Sequence, residues 1–313
     1  MRPTFLLLTL TAFALPAAAE EPALLLPPTL GRTDAVWISG RVLKEAQGRH
    51  GPTAVRNVRT LTVGNLVGAR VEVRFLGQTA AAVSGHDGEF EAVIAAAPGQ
   101  PFPAGPQPAE VQVAGVTART TVLVVPADAP FLVVSDFDDT VAVTHVESKR
   151  KLLATAFLED GDTQPAVQGM ARFYGCLAAA GRPGPVFVFV SGSPIQFAPR
   201  LLRFLEKNGF PPAALYLRNL GPSTLKGYKE PILRTLAARF PQPLVLVGDS
   251  GEKDPEIYAA LSKDLPGRVR RIYIRRAGRS GPAGRFEGEL LFRDPVDAQR
   301  DAIASGLAPP GCL

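Results

Sequence analysis

An apolar run near the middle of the chain ends abruptly in carboxylates and a hydroxyl. Residues 131–135 are apolar up to their last position, and Asp136, Asp138, Asp139 and Thr140 follow. Such a run is typical of a buried parallel strand, and open α/β sheets bind ligands at the carboxyl ends of their strands. Carboxylates this close repel one another unless a cation or a proton compensates. The pattern indicates a metal or phosphate site, with an acidic turn that caps the next element as the alternative.

A second apolar run, residues 186–190, ends in hydroxyl groups. Ser191, Gly192, Ser193 and Pro194 follow it directly. A hydroxyl and free backbone N–H groups at a strand-to-helix turn can hold a phosphate. Helix capping is the alternative, with Ser193 as the N-cap and Pro194 at the first helical position. Both interpretations can hold, for different serines.

A third apolar run, residues 244–247, leads to further carboxylates. Asp249 lies directly at its end, and Asp254 follows. Mg²⁺ is a hard cation that prefers oxygen ligands, so these carboxylates can join those of the first run around a metal. Asp254 also precedes Pro255 and a predicted helix, which is an ordinary N-cap position. Asp249 therefore fits a site better than Asp254 does.

A lysine between the second and third runs completes this set of polar groups. Lys226 and Lys229 both lie just before a predicted helix. Either ammonium group can neutralise a phosphoryl group during its transfer. A lone lysine is usually only a solvated surface group, so this residue carries weight only together with the others.

The elements that would position these groups alternate along residues 131–300. Short apolar runs alternate with stretches of helical periodicity, which predicts a parallel sheet with right-handed crossovers. The predicted strands are residues 131–135, 186–191, 214–217, 244–248 and 269–275. The predicted helices are residues 148–158, 167–180, 195–208, 229–240 and 254–265.

The pattern before residue 126 is different. Residues 35–125 hold short alternating runs separated by Gly, Asp and Pro turn signals, including the stretch 98–108, which predicts an antiparallel β-sandwich domain. We found no cluster of catalytic residue types in this stretch. A Pro-rich lead at 20–34 precedes it, a linker at 126–130 follows it, and residues 301–313 are expected to be a C-terminal tail.

The N-terminus and the overall composition suggest a location and exclude some partners. Residues 1–19 have a charged start, a short apolar stretch and an Ala-x-Ala site, which predicts a signal peptide of a secreted or periplasmic protein. An uncleaved membrane anchor is the alternative, and no later segment is apolar enough to span a membrane. The net charge of +5 permits anionic partners but does not call for nucleic acid. Cys176 and Cys312 are too few for a zinc site, and whether they pair stays open.

In chain order, these motifs resemble those of haloacid-dehalogenase-like phosphohydrolases. The matching pieces are Asp136-x-Asp138-x-Thr140, Ser191, a lysine that opens a helix, and Gly248-Asp249 with Asp254. Residues 135–140, 190–194 and 248–258 resemble more narrowly the catalytic domain of the App1 group, typified by a Mg²⁺-dependent phosphatidate phosphatase. The narrower resemblance extends into the β domain at 39–43 and 87–90. The resemblance to haloacid-dehalogenase-like phosphohydrolases implies a Rossmann-like, haloacid-dehalogenase-like sheet over residues 131–300.

The resemblance also implies roles for the acidic residues. Asp136 would be the nucleophile that forms an aspartyl-phosphate, and Asp138 would protonate the leaving alcohol and then activate water. Mg²⁺ would be held by Asp136, the backbone carbonyl of Asp138 and Asp249, with Asp254 assisting through water. Asp139 would support the loop.

The remaining roles concern the phosphoryl group. Ser191, Gly192 and the lysine would bind its oxygens, and Thr140 would orient the loop. Lys229 is favoured over Lys226, because it opens the helix before the fourth strand. The family commonly has His-Lys at this point, where this chain has Tyr228-Lys229.

The sequence therefore predicts a Mg²⁺-dependent phosphatase that hydrolyses a phosphomonoester, with phosphatidate at a membrane surface as one candidate substrate. The insert between Thr140 and residue 186 allows at most a small cap, so a bulky substrate would fit. Residues 268–276 are rich in arginine and either meet anionic headgroups or form a solvated edge strand. The alternatives are a soluble phosphomonoesterase without lipid preference, a phosphotransferase, and a cell-envelope binding module with an inactive α/β domain.

Overall fold

The structure, a computed structural model, describes residues 21–44, 63–143, 164–219, 227–277 and 281–312. The predicted signal peptide, the predicted helix 148–158 and Lys226 lie outside these residues. The described strands form two sheets, one of eight strands and one of six. The first is rich in antiparallel pairs and the second is entirely parallel, so the fold is mixed α/β.

The eight-stranded sheet is built from half-buried strands. Residues of β6 alternate strictly between exposed and buried, as expected where one face packs on a core and the other meets water. The strand order is β1-β3-β2-β8-β7-β4-β5, with β6 paired to β3. Its strands are β1 (Ala23–Leu25), β2 (Thr29–Arg32), β3 (Ala35–Leu43), β4 (Arg70–Phe75), β5 (Gln78–Val83), β6 (Glu89–Ala95), β7 (Gly105–Val113) and β8 (Val116–Val125).

Two details of this region differ from the sequence prediction. β5 ends the strand order, and β6 pairs with β3 near the other end. β5 and β6 nevertheless pack together, so one sheet curls around its core in place of two stacked sheets. The end of the predicted turn stretch 98–108 is instead the start of β7. Pro106 and Pro108 are tolerated there because β7 pairs with β4 only from Ala109 onward, which leaves the prolines on a locally unpaired edge.

The six-stranded sheet has the order β11-β10-β9-β12-β13-β14. Its central strands β9 and β12 are buried at every position, because helices cover both faces. The strands are β9 (Leu132–Ser135), β10 (Val186–Pro194), β11 (Ala213–Arg218), β12 (Leu244–Asp249), β13 (Val269–Arg275) and β14 (Leu290–Phe292). The helices are α1 (Met170–Ala178), α2 (Ala198–Lys207), α3 (Lys229–Arg239), α4 (Asp254–Asp264) and α5 (Pro295–Ala304).

The helices divide between the two faces of this sheet. α1, α2 and α5 contribute to one apolar cluster, and α3 and α4 contribute to the other. The predicted strands and helices within the described residues agree with these elements to within three residues at each end. β14 and α5 have no counterpart in the sequence prediction.

The C-terminal stretch is packed and covalently attached. α5 runs into the expected tail and ends at Ala304, and Leu307 beyond it is fully buried. Cys176 of α1 forms a disulfide with Cys312. The bridge joins positions 136 residues apart and fastens the end of the chain to the first helix of this region.

The arginine-rich stretch is not a solvated edge strand, because β13 lies between β12 and β14. Arg268 donates to the carbonyls of Ala237 and Phe240 at the end of α3. Arg271 pairs with Asp301 at 2.6 Å, and its neighbours along β13 are buried at positions 272–274. These two arginines hold elements of the fold together, whereas Arg270 and Arg276 are exposed.

The two sheets are in direct contact along the β11 edge. The Leu215 amide donates to the Pro28 carbonyl at 2.9 Å, and Leu30 of β2 belongs to the apolar cluster under α3 and α4. Trp37 of β3 meets Phe240 with ring centroids 5.9 Å apart. Among the described residues, no helix is both long enough and apolar enough to span a membrane.

Candidate active site

Three neighbouring parallel strands bring the predicted polar groups to one edge of the sheet. β9 lies between β10 and β12, and Ser135 at its end stands in register with Phe189 and Val247. Asp136 therefore lies level with the ends of both neighbours, where the chain carries Ser191 and Asp249. The carboxyl ends of parallel strands meet at the same edge, so groups far apart in sequence converge.

Lys229 is the cation at the centre of this cluster. It is the first residue of α3, and its Nζ lies 2.7 Å from Asp136 Oδ1 and 2.6 Å from Asp254 Oδ1. Its side chain is only 9% exposed, so these ion pairs are protected from solvent. The structure thus brings Lys229 to the carboxylates, as the sequence favoured.

Three buried carboxylates outnumber this single buried cation. Asp136, Asp249 and Asp254 each offer one oxygen, and these oxygens lie within 4.8 Å of one another. Asp249 Oδ2 is buried and has no hydrogen-bond partner among the described residues. A set of oxygen donors with an unsatisfied buried oxygen and excess negative charge suits a hard divalent cation.

Asp138 has a different environment from Asp136. Its Oδ2 accepts hydrogen bonds from Ser191 Oγ at 3.2 Å and from Ser193 Oγ at 2.9 Å. Its Oδ1 is buried and has no partner in the described part of the chain. The Asp138 side chain is thus outside the three-carboxylate group and faces the serines of β10.

The loop after β9 is held by its own hydrogen bonds. Thr140 Oγ1 donates to Asp136 Oδ2 at 3.2 Å, which fixes the orientation of that carboxylate. The Val141 amide donates to the Phe137 carbonyl at 3.0 Å and closes the turn. Asp139 has a positive φ of 53° in this turn, and Arg275 of β13 donates to its carbonyl.

The capping alternatives for Ser193 and Asp254 are not borne out. Ser193 belongs to β10 and contacts Asp138, and the 3₁₀ turn Ile195–Phe197 begins after Pro194 without a side-chain cap. Asp254 is the first residue of α4, and its oxygens meet Lys229 and the amide of Asp249, the latter at 3.4 Å. Both side chains are therefore available to the site.

Gly248 is required for this packing. A Cβ at this position would lie 2.8 Å from both Asp254 Cβ and Tyr258 Cε2. Gly192, the other predicted glycine of the site, is exposed between the two serines. Its backbone is therefore accessible to a ligand.

Burial controls the protonation of these groups. Burial raises the pKa of Asp249 to about 7, and Asp254 and Glu252 add to this effect. Burial also raises the pKa of Asp138, which its hydrogen bonds to Ser193 and Ser191 oppose. For Lys229, burial opposes the charge, but the carboxylates of Asp136 and Asp254 outweigh it and hold the pKa well above its ordinary value.

Sequence reasoning missed one residue that shapes the loop from Asp249 to Asp254. Arg285 donates to the carbonyl of Ser250 at 2.5 Å and to that of Glu252, and its Nε meets Glu256 Oε1 at 2.6 Å. It follows β13 and has no motif around it, so no sequence signal pointed to it. Glu252 of the same loop lies 3.4 Å from Lys229 Nζ, and its side chain is 48% exposed.

Comparisons with known proteins agree on the second region of the chain. Residues 131–276 match the family model described as the catalytic domain of phosphatidate phosphatase APP1. Phosphatidate phosphatase APP1 of Saccharomyces cerevisiae is 30% identical over 151 residues, which covers 45% of this chain and 25% of that protein. An uncharacterised protein of Schizosaccharomyces pombe is 31% identical over 153 residues, covering 46% of this chain and 24% of that protein.

These likenesses have clear bounds. The chain spans about a quarter of the length of the two curated relatives. Among solved structures, a carbohydrate acetylesterase from Xanthomonas citri has a TM-score of 0.30 and 12% identity, with 85% of this chain and 72% of that chain covered. A likeness this weak carries no argument about fold or function. By the family match and the identity to the yeast protein, residues 131–276 are similar to the catalytic domain of phosphatidate phosphatase APP1.

Proposed function

We propose that this chain is a phosphatase that hydrolyses a phosphomonoester through an aspartyl-phosphate on Asp136. The observation that carries the proposal is the contrast between two carboxylates two positions apart. Asp136 is ion-paired to Lys229 at 2.7 Å, whereas Asp138 is hydrogen-bonded to serine hydroxyls. Carboxylates in contrasting environments are suited to separate roles as nucleophile and as acid–base group.

The first step forms a bond between an Asp136 oxygen and phosphorus and breaks the ester P–O bond. Asp138 gives its proton to the departing alkoxide, and the raised pKa of Asp138 favours the protonated form that this requires. In the second step Asp138 takes a proton from water, and the water oxygen attacks phosphorus. The bond between phosphorus and the Asp136 oxygen breaks, which releases inorganic phosphate. Asp136 and Asp138 then return to their starting states.

In this proposal, three groups bind the phosphoryl oxygens. Lys229 supplies a buried positive charge, Ser191 a hydroxyl, and exposed Gly192 a backbone N–H. A charge held in a buried site stabilises developing negative charge more strongly than one in water. Thr140 keeps Asp136 in its attacking orientation through the 3.2 Å hydrogen bond.

We propose Mg²⁺ as the metal, held by Asp136, Asp249 and Asp254 together with the backbone carbonyl of Asp138. The three-carboxylate group and the unpartnered Asp249 oxygen support this assignment. When bound, Mg²⁺ would neutralise the gathered negative charge and polarise a phosphoryl oxygen.

The proposal extends to the fold type, the substrate and the location. The parallel order of β9 to β14 and the ordered motifs support a haloacid-dehalogenase-like, Rossmann-like fold over residues 131–300. The name of the yeast relative supports phosphatidate as a candidate substrate. The disulfide between Cys176 and Cys312 supports an oxidising, secreted or periplasmic location, which is also what the predicted signal peptide would give.

Phosphate release by purified variants tests the proposal. Asp136→Asn and Asp138→Asn should each lower Mg²⁺-dependent turnover by at least about 10³-fold. Asp136 forms the intermediate, and Asp138 transfers a proton in both steps. Asp264→Asn, which changes an exposed ion pair at the end of α4, is the matched control and should retain activity.

The panel of substrates should include short-chain phosphatidate and sugar phosphates. Full activity of Asp136→Asn, or activity that a chelator leaves unchanged, would overturn the mechanism. If no phosphomonoester is hydrolysed, the binding-module alternative takes its place.

A further inference from the structure

The backbone of Asp136 is held by two neighbouring elements of the fold. Its amide donates to the Val247 carbonyl of β12 at 2.9 Å. Its carbonyl accepts a hydrogen bond from Ser135 Oγ at 2.5 Å, and Ser135 Oγ lies 2.5 Å from the hydroxyl of Tyr174 in α1. The proposed reaction uses neither Ser135 nor Tyr174.

The direction of these two hydroxyl contacts follows from what each group can donate. A carbonyl oxygen can only accept, so the single hydroxyl proton of Ser135 is donated to Asp136. Ser135 Oγ then accepts the proton that the Tyr174 hydroxyl has to offer. The two hydroxyls therefore form a chain of hydrogen bonds that runs from α1 to the carbonyl of the aspartate at the strand end.

Aromatic packing fixes the place of the Tyr174 hydroxyl. The Tyr174 side chain is fully buried, and its ring stacks on Phe189 of β10 with the centroids 6.1 Å apart and the planes 4° apart. Phe210 meets the same ring edge-on with the centroids 5.3 Å apart. Phenylalanine would fill this apolar space without a polar atom to satisfy, so the hydroxyl is the part of Tyr174 that needs a role.

A fixed Asp136 carbonyl also fixes the chain that follows it. The peptide unit between Asp136 and Phe137 is planar, so the orientation of the carbonyl sets the direction in which the backbone leaves β9. Asp138 lies next in that direction. Lys229 and Thr140 bond the carboxylate of Asp136 and not its backbone. The hydroxyl chain thus adds a constraint on both acidic residues that the carboxylate contacts do not supply.

We propose that Tyr174 and Ser135 are positioning residues, whose hydroxyls hold Asp136 in line for attack on phosphorus and keep Asp138 where it can transfer its proton. The inference rests on the proposed function. Both side chains are buried, so they act through the backbone of Asp136 and do not touch the substrate. Their effect therefore falls on kcat, because a displacement of about 1 Å at the reacting groups can lower turnover by about 10²-fold.

Tyr174→Phe tests this role because it removes only the hydroxyl and keeps the ring. It should lower kcat about tenfold and change KM less than about twofold. Tyr273→Phe is the matched control, since Tyr273 is fully buried in the same apolar cluster and its hydroxyl donates to Asp301 of α5 at 3.0 Å. Urea unfolding should show similar losses of stability in the two variants, while kcat falls only in Tyr174→Phe.

Ser135→Ala separates a chain of hydroxyls from two independent contacts. Tyr174 acts only through Ser135, so the double variant Ser135→Ala, Tyr174→Phe should have the same kcat as Ser135→Ala alone. Additive losses of kcat in the double variant would overturn the proposal. A wild-type kcat in Tyr174→Phe, or an equal fall of kcat in Tyr273→Phe, would also overturn it.

Binding of beryllofluoride keeps this inference separate from the proposed function. With Mg²⁺ present, this analogue of the phosphoryl group bonds to the carboxylate of a nucleophilic aspartate, and ¹⁹F NMR detects the adduct. The wild type and Tyr273→Phe should bind it equally, and Tyr174→Phe about tenfold more weakly, because the adduct needs the in-line geometry. Equal binding by all three proteins would overturn the positioning role and leave the proposed function standing. The absence of an adduct in the wild type would overturn the proposed function itself.

Discussion

The ion pairs of the two sheets differ in their exposure to solvent. In the curled sheet, Arg119 pairs with Glu110 at 2.8 Å, and the Arg119 side chain is 79% exposed. In the parallel sheet, Lys229 pairs with Asp136 at 2.7 Å, and the two side chains are 9% and 2% exposed. Pairs of nearly equal length thus lie in very different surroundings.

The exposure of an ion pair distinguishes a structural pair from a functional one more clearly than the residue types do. A surface ion pair loses little solvation when it forms and contributes little, whereas buried charges cost several kcal/mol each unless they are compensated. A fold keeps such a cluster only at a cost to stability, and buried charge with an unsatisfied oxygen marks the region that binds a ligand. Among the described residues, the one group of acidic side chains arranged for a metal is Asp136, Asp249 and Asp254.

The largest expected effect comes from removing the buried cation. Lys229→Met leaves Asp136 and Asp254 without their partner, and we expect a loss of about 3–5 kcal/mol in the free energy of unfolding when a chelator is present. Arg119→Ala in the curled sheet should cost about 1 kcal/mol or less. Urea unfolding of both variants measures the contrast, and equal losses would show that burial does not set the energy of these pairs.

A second difference is covalent, because the disulfide lies only on the side of the parallel sheet. Cys176→Ser with Cys312→Ser should lower the free energy of unfolding by about 2–4 kcal/mol, since the bridge restricts a long segment of the unfolded chain. Phosphate release at low temperature should persist, because neither cysteine belongs to the candidate site. Thermal unfolding with and without a reductant checks this, and unchanged stability would show that the tail is held by packing alone.

The smallest effect concerns a carboxylate beside the Arg285 contacts. Burial raises the pKa of Glu289 to about 8, and Glu256 adds to the shift. Since the folded state holds this proton more tightly than the unfolded state, with its pKa of about 4.3, stability falls as pH rises between these values. Glu289→Gln should remove that fall and raise the Tm at pH 8.5 by roughly 1–2 °C, since solvent screens a partly exposed group. The same gain in Tm at pH 5 would contradict the assignment of a raised pKa to Glu289.

Much of the parallel sheet could be predicted because its strands are buried on both faces. β9 and β12 are short apolar runs that end in carboxylates, and this abrupt change marks both the strand and its carboxyl end. β14 has only three residues, so its sequence carries little periodic signal. The curl of the first sheet depends on contacts between β5 and β6, which strand patterns alone do not contain.

The site was predictable where a side chain lies at a strand end and not where it acts through another residue. Asp136, Ser191 and Asp249 follow apolar runs directly. The position of Ser193 toward Asp138 depends on β10 extending to Pro194, whereas its sequence reads equally well as a helix cap. Arg285 contacts the loop from Asp249 to Asp254 from a distant segment, which only the tertiary structure brings near.

The central claim is that the buried Asp136 attacks phosphorus at a metal-dependent site. The most direct measurement is acid quenching of the wild-type protein after brief incubation with a ³²P-labelled phosphomonoester, with and without Mg²⁺, followed by mapping of the labelled peptide. We predict label on the peptide that contains Asp136, present only with Mg²⁺ and absent from Asp136→Asn. Phosphate release by Asp136→Asn at the wild-type rate, with no labelled protein in either case, would contradict the account.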